Sequence, residues 1–125
     1  MNIHDFINNI LEPYNVIVNF SEKAIDDLDS YNKDLKERIV ALVIRRGIKG
    51  PLIKPNGLGE PLHGKLRGFT KIKPKKLGIR IIYRPLNNGY ILMQVIAIGP
   101  RDRKKVYKMA ATRINGFNSE MASNE

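Results

Sequence analysis

Lys71 and Lys73 stand two residues apart in Phe69-Thr70-Lys71-Ile72-Lys73, and Arg80 follows in Gly78-Ile79-Arg80-Ile81-Ile82-Tyr83. Arg101, Arg103 and Tyr107 complete the set in Gly99-Pro100-Arg101-Asp102-Arg103-Lys104-Lys105-Val106-Tyr107. Such side chains grip phosphate, because guanidinium and ammonium groups donate charge-assisted hydrogen bonds to its oxygens. They also suit a metal-free cleavage of RNA by its own 2′-hydroxyl. That reaction needs the hydroxyl proton removed, charge on the phosphorane neutralised and the 5′-oxygen released. A lysine crowded by cations can lose its proton and serve as base, which makes Lys73, beside Lys71 and Arg80, the candidate. Arg80 with Lys71 would hold the phosphorane, Arg101 would stand near the leaving oxygen, and Tyr107 would stack on or orient a base. His4 and His63 are the only histidines and the basic half has no acidic cluster, so neither a histidine pair nor a carboxylate metal site is expected, and no cofactor.

These residues need a scaffold that gathers them. The two-residue period of a strand puts Lys71 and Lys73 on one face and Thr70 and Ile72 on the other. The same period aligns Arg80 with Arg84, opposite Ile79, Ile81 and Tyr83, so one sheet face is expected to be apolar and the other cationic. Lysine on an exposed strand is also an ordinary guard against aggregation, and a tyrosine such as Tyr107 commonly buries its ring. The charge distribution favours a ligand. Residues 1–44 hold 4 Lys/Arg against 8 Asp/Glu, whereas residues 45–108 hold 17 against only Glu60 and Asp102, within a net charge of +10. A segment so basic repels itself unless a polyanion binds it, and nucleic acid gains from the counterions released. Lys65, Arg67, Lys75, Lys76, Arg84, Arg103 and Lys104 are the further candidates for RNA contact.

The elements read as follows. Ile3, Phe6, Ile7, Ile10 and Leu11 recur at helical spacing before Pro13, and Tyr14 to Phe20 alternates as a strand. Ser21 is a natural N-cap for a helix bearing Ala24, Ile25 and Leu28, and Leu35, Ile39, Leu42 and Val43 give a second, making a helical hairpin. Gly47 to Gly68 is rich in glycine and proline and reads as a long loop. Strands follow at Phe69 to Lys73, Ile79 to Arg84 and Tyr90 to Ile98, the last two joined by a turn over residues 85–89. Val106, Met109, Ala110 and Ile114 then support a final helix, with a fraying polar tail. The expected fold is α+β, helices on an antiparallel sheet, divided as 1–13 an N-terminal helical extension, 14–115 the domain proper and 116–125 a flexible tail.

With 125 residues and no cysteine, the chain fits one domain without disulfides or a thiolate site. It has neither a recognisable leader nor a run of about 20 apolar residues. A cytoplasmic protein with no membrane association is expected.

The three strings quoted above, in that order and with Gly64-Lys65-Leu66-Arg67-Gly68 before them, resemble the RelE branch of the RelE/ParE toxin superfamily. The likeness spans about residues 14 to 115 in element order. It implies a ribosome-dependent mRNA endonuclease, the toxin of a type II toxin–antitoxin pair, acting in the ribosomal A site. Lys71 and Lys73 match the strand lysines, Arg80 the phosphate-binding arginine, Arg101 and Arg103 the terminal arginines, and Tyr107 the active-site tyrosine. A cognate antitoxin, held in a hetero-oligomer, and the ribosome with its mRNA are the partners implied. Pro100 and the basic connection Pro74-Lys75-Lys76-Leu77 depart from the family pattern. Two other readings stay open: a ParE-like inhibitor of DNA gyrase, and a non-catalytic RNA-binding protein.

Overall fold

The structure is a computed structural model and describes residues 2–124; Met1, and Glu125 of the expected tail, lie outside the described residues. Its elements are α1 (Ile3–Leu11), β1 (Val16–Phe20), α2 (Glu22–Asp29), α3 (Lys33–Lys49), β2 (Glu60–Pro61), β3 (Thr70–Ile72), β4 (Ile79–Asn87), β5 (Ile91–Pro100) and α4 (Lys105–Asn124). Three of the helices begin where a side chain accepts an otherwise unpaired amide. Asn2 accepts from Asp5, Ser21 from Ala24 and Asn32 from Leu35.

The five strands form one sheet in the order β1-β5-β4-β3-β2. β2 to β5 are antiparallel neighbours, as expected of a meander, but β1 runs parallel to β5. Nothing constrains that pair to a hairpin, because both helices of the hairpin and three strands intervene. The sheet is therefore mixed. The expected long loop is shorter: α3 continues through Gly47 to Lys49, and β2 is recovered from the loop's far end.

Two cores lie on the two faces. On one, α1, α2 and α3 cover Val18, Ile81, Tyr83 and Met93. α1 is built into this core, with Ile7 and Leu11 fully buried. The Tyr83 hydroxyl donates to the Pro51 carbonyl at 2.6 Å and accepts from Arg46 at 3.3 Å, fastening the loop after α3 to the sheet. Burial raises the Tyr83 pKa, and Arg46 opposes the rise, so the hydroxyl remains a donor.

The other face overturns the expectation of a wholly cationic surface. α4 lies across it and buries Ile82, Ile96 and Ala97 beneath Val106, Ala110, Phe117 and Met121. Residues 116–124 accordingly continue the helix instead of forming a flexible tail. Ala110, Ile114, Phe117 and Met121 recur at helical spacing, and Phe117 and Met121 are 3% and 1% exposed.

An ion pair completes the attachment of α4. β1 pairs with β5 only as far as Val95, which leaves the outer edge of β5 without a strand partner beyond that point. There Asp27 of α2 accepts from the Ile98 amide at 3.0 Å, and Arg113 of α4 donates to the Ile96 carbonyl at 3.0 Å. Arg113 and Asp27 also meet each other at 2.6 and 3.0 Å, with side chains only 16% and 12% exposed. Removing one partner of such a pair leaves a charge without compensation and an amide without an acceptor. Asp27→Ala is expected to lower unfolding free energy by about 2–4 kcal/mol, measured by urea denaturation. Asp27→Asn, which keeps an acceptor for Ile98, is expected to cost less.

Candidate active site

The site lies at the end of the α4-covered face where the helix begins and its cover stops. Lys71 pairs across the ladder with Ile82, and Arg80 with Gly99. The β3–β4 ladder ends at Ile72 and Ile81, so Lys73, expected in the strand, follows β3 just outside it. Lys71, opposite Ile82, and Arg80, two residues before Ile82, therefore share one face, as strand periodicity requires. Arg80 is half-buried, and its guanidinium folds back to donate to the carbonyls of Ile79 at 3.1 Å and Leu77 at 3.4 Å. Both acceptors are neutral, so the guanidinium keeps its charge and further N–H groups for an anion.

Gly99 allows α4 to approach. A Cβ there would lie 3.0 Å from the Met109 sulfur and 3.5 Å from the Val106 Cβ, so a side chain would require Met109 to shift. With the helix seated, the Lys71 ammonium lies 5.7 Å from the centre of the Tyr107 ring, within cation–π range. Tyr107 is half-buried against the second core. It thus packs on the sheet and also borders the cationic cluster.

Arg101 carries its backbone into the sheet, its amide donating to Gly78 at 2.9 Å, while its side chain is exposed. Arg103 and Lys104 follow with φ of 51° and 57°, a left-handed backbone that costs non-glycine residues about 1–2 kcal/mol each. This tight reversal starts α4 immediately and holds Arg101 and Arg103 at the rim. Lys75, Lys76, Arg103 and Lys104 are exposed on the turns at this open end, whereas Lys65 and Arg67 are exposed on the turn between β2 and β3, which enters the sheet at Thr70, opposite Tyr83.

Arg84 does not join them. Its guanidinium donates to Gln94 at 2.9 and 3.0 Å and to Asn118 at 2.7 Å. It also lies 5.3 and 5.1 Å from the ring centres of Phe69 and Phe117. The strand period put it on the correct face, but the added turns of α4 cover that end, and Arg84 helps to hold them down.

One group at the site was not expected. Glu60, the lone acid in the glycine-rich stretch, pairs across β2 and β3 with Lys71, and its carboxylate accepts from Lys73 at 2.9 Å. The hydrogen bond from Lys73 is the main cause of a lowered Glu60 pKa; slight burial opposes it, and the charges of Lys73, Lys71 and Lys54 reinforce it. Local packing fixes the strand that carries it. Thr70 donates its hydroxyl to the Glu60 carbonyl at 2.7 Å, and Gly59 leaves room for that approach, since a Cβ there would lie 2.7 Å from the Thr70 oxygen. Choosing Lys73 as base assumed that only cations surround it, and the carboxylate removes that assumption. His63 is exposed on the neighbouring turn. Among the described residues, no three His, Asp or Glu side chains converge into a metal-ligand group, and no helix is long and apolar enough to cross a membrane.

No protein-family model matches the chain. The mRNA interferase toxin RelE of Escherichia coli K12 is 27% identical over 100 residues, spanning 78% of this chain and 95% of that protein. The mRNA interferase RelE of Shigella flexneri matches to the same extent. Among solved structures, a double arginine variant of E. coli RelE in the free state superposes with a TM-score of 0.58 at 24% identity, covering 78% of this chain and 95% of that one. The isolated E. coli RelE toxin gives a TM-score of 0.54, also at 24% identity, over 78% and 96% of the two chains. A chain of the intact E. coli RelBE toxin–antitoxin complex gives 0.51 at 23% identity, over 69% and 96%. The structural likenesses establish the fold, and the sequence match, which runs nearly the full length of the relative, makes the chain a homologue of E. coli RelE.

Proposed function

We propose that the chain is the toxin of a toxin–antitoxin pair and cuts mRNA in the ribosomal A site by attack of the 2′-hydroxyl on the adjacent phosphodiester. The observation that carries this reading is the shared face of Lys71 and Arg80, bordered by Tyr107 and by Lys73 in its pair with Glu60, in a homologue of proteins named mRNA interferases. The toxin unit proper is taken as residues 14–115, with α1 and the last turns of α4 packed onto it. The antitoxin is expected to be acidic, since it must mask a basic site. The cytoplasm, where ribosomes and mRNA meet, is the expected compartment. A gyrase-inhibiting role is not favoured, because it gives the cationic face and Glu60 no task.

In the proposed reaction the Glu60 carboxylate, oriented by Lys73, takes the 2′-hydroxyl proton. The 2′-oxygen then attacks phosphorus, and Arg80 and Lys71 neutralise the phosphorane. The 5′-oxygen leaves beside Arg101, whose charge stabilises it, and takes a proton from solvent water, giving a 2′,3′-cyclic phosphate and a 5′-hydroxyl. Arginine is a poor proton donor, so the isolated chain is expected to cut feebly. The ribosome would supply the in-line geometry of the strand. The test is to induce the chain in cells and map mRNA 5′-ends against the reading frame. Cuts in register with codons, bearing 5′-hydroxyls, are expected. Equal cutting of naked mRNA with and without ribosomes would refute the ribosomal part, and stalled replication with intact mRNA would refute cleavage.

A further inference from the structure

The second half of α3 carries cations that the fold does not use. From Arg38 to Lys49 it holds Arg38, Arg45, Arg46 and Lys49 and no acid, whereas its first turns mix Lys33 and Lys36 with Asp34 and Glu37. Lys36 is paired with Asp29. Arg46 turns inward and donates to the Lys71 carbonyl and the Tyr83 hydroxyl. Arg38, Arg45 and Lys49 are exposed, and none of them enters an ion pair among the described residues.

Their spacing aligns them. At 3.6 residues per turn, Arg38, Leu42, Arg45 and Lys49 fall within about 60° of one another around the helix and extend roughly 16 Å along it. Arg45 and Lys49 are one turn, ~6 Å, apart, the scale on which successive phosphates recur along a strand. Two adjoining hollows of about 440 and 260 Å³ run beside this stripe, with Pro74 on their far side and no acid lining either. Lys73 borders the larger hollow and also reaches Glu60, so the groove meets the candidate active site at one residue.

We infer that this groove is a second nucleic-acid surface, which takes the sugar–phosphate backbone of a folded RNA. It is separate from the strand presented to Arg80. Three exposed cations and a single leucine make the stripe a source of counterion release more than of apolar burial, and that favours RNA over a helix of a partner protein. The apolar hollow lies elsewhere, between α1 and α3, where Ile3, Phe6, Val40 and Ile44 line it. Gripping a folded RNA there requires no cleavage, so the inference stands apart from the reading of the active site.

The experiment uses the full chain and a 2′-O-methyl RNA hairpin, which cannot be cut by its own 2′-oxygen. Fluorescence anisotropy across a series of KCl concentrations gives affinity and its salt dependence. The triple variant R38Q/R45Q/K49Q is expected to bind at least tenfold more weakly at low salt. Its plot of log affinity against log salt should be shallower by about 2–3, at roughly 0.7–0.9 for each phosphate that is no longer neutralised. The exposed positions predict an unchanged melting curve; if the triple variant does not fold, R45Q alone should lower the slope by about one. Unchanged affinity and slope in the variant would overturn the inference. So would loss of oligoglutamate binding with hairpin binding intact, which would assign the groove to an acidic protein.

Discussion

Replacing Arg80 by alanine is expected to lower the rate of mRNA cutting by about 100- to 1000-fold, the usual effect of removing a donor aimed at developing charge, and to relieve growth arrest on induction. The reason is geometric. Arg80 stands opposite Gly99 on β5 and on the same sheet face as Lys71, where a phosphate held by both cations would sit. The fold should tolerate the change, because the hydrogen bonds of its guanidinium go to the carbonyls of neighbouring residues 77 and 79, near solvent at the end of the sheet. Arg80→Lys keeps the charge but loses the planar fork, and an intermediate rate is expected. Primer extension on a single message, with circular dichroism as the folding control, measures both. A variant that cuts at the wild-type rate would remove Arg80 from the mechanism.

Glu60→Gln should reduce cutting by about 100- to 10,000-fold, the range that general-base catalysis contributes. It retains the shape of the side chain and an acceptor for Lys73 but cannot take the 2′-hydroxyl proton. The comparison with Lys73→Ala decides between the two candidate bases. If Glu60 is the base and Lys73 orients it, the lysine variant is the milder. If Lys73 is the base, Glu60→Gln leaves the rate unchanged or raises it. The pH profile gives an independent check. A carboxylate base works only when ionised, and neighbouring lysines hold Glu60 below the ordinary value of 4.5. The midpoint of the loss of rate on acidification should therefore fall below that value. A lysine base would instead give a rate that climbs through the alkaline range.

The local parts of the fold were legible in the sequence for physical reasons. Strand alternation put Lys71 and Arg80 on one face, although β3 stops before Lys73, and Ser21 marked a helix start that its side chain does cap. What escaped was non-local. Glu60 lies in a two-residue strand, and its pairing with Lys71 across the sheet leaves no periodic trace. Arg84 obeys the period, but its environment is set by Phe117 and Asn118, more than 30 residues away. Residues 85–87 read as a turn from their proline and asparagine, yet they extend β4. Past Tyr83, β4 has β5 alone as a ladder partner, and an edge tolerates proline. Phe117 and Met121 were hidden in a polar stretch whose helical spacing emerges only when counted from Ala110 and Ile114.

The way α1 meets β1 bears on the order in which the chain can assemble. β1 has β5 on one side and no strand on the other. On that open side the Asn8 amide accepts from the Val18 N–H at 2.8 Å and donates to the Val18 carbonyl at 3.1 Å, as a neighbouring strand would. One turn earlier, His4 accepts from the Phe20 N–H at 2.9 Å, and burial lowers its pKa, keeping that nitrogen free to accept. Four helical residues rise ~6 Å and two strand residues ~6.6 Å, which is why a helix can serve the edge in this register. These contacts span 10 and 16 positions, whereas Val16 meets Ile91 on the inner side. Closing a short loop costs less entropy and is faster than closing a long one. The outer edge of β1 can therefore be covered before its proper neighbour is available, so that during folding the strand has one raw side to pair instead of two.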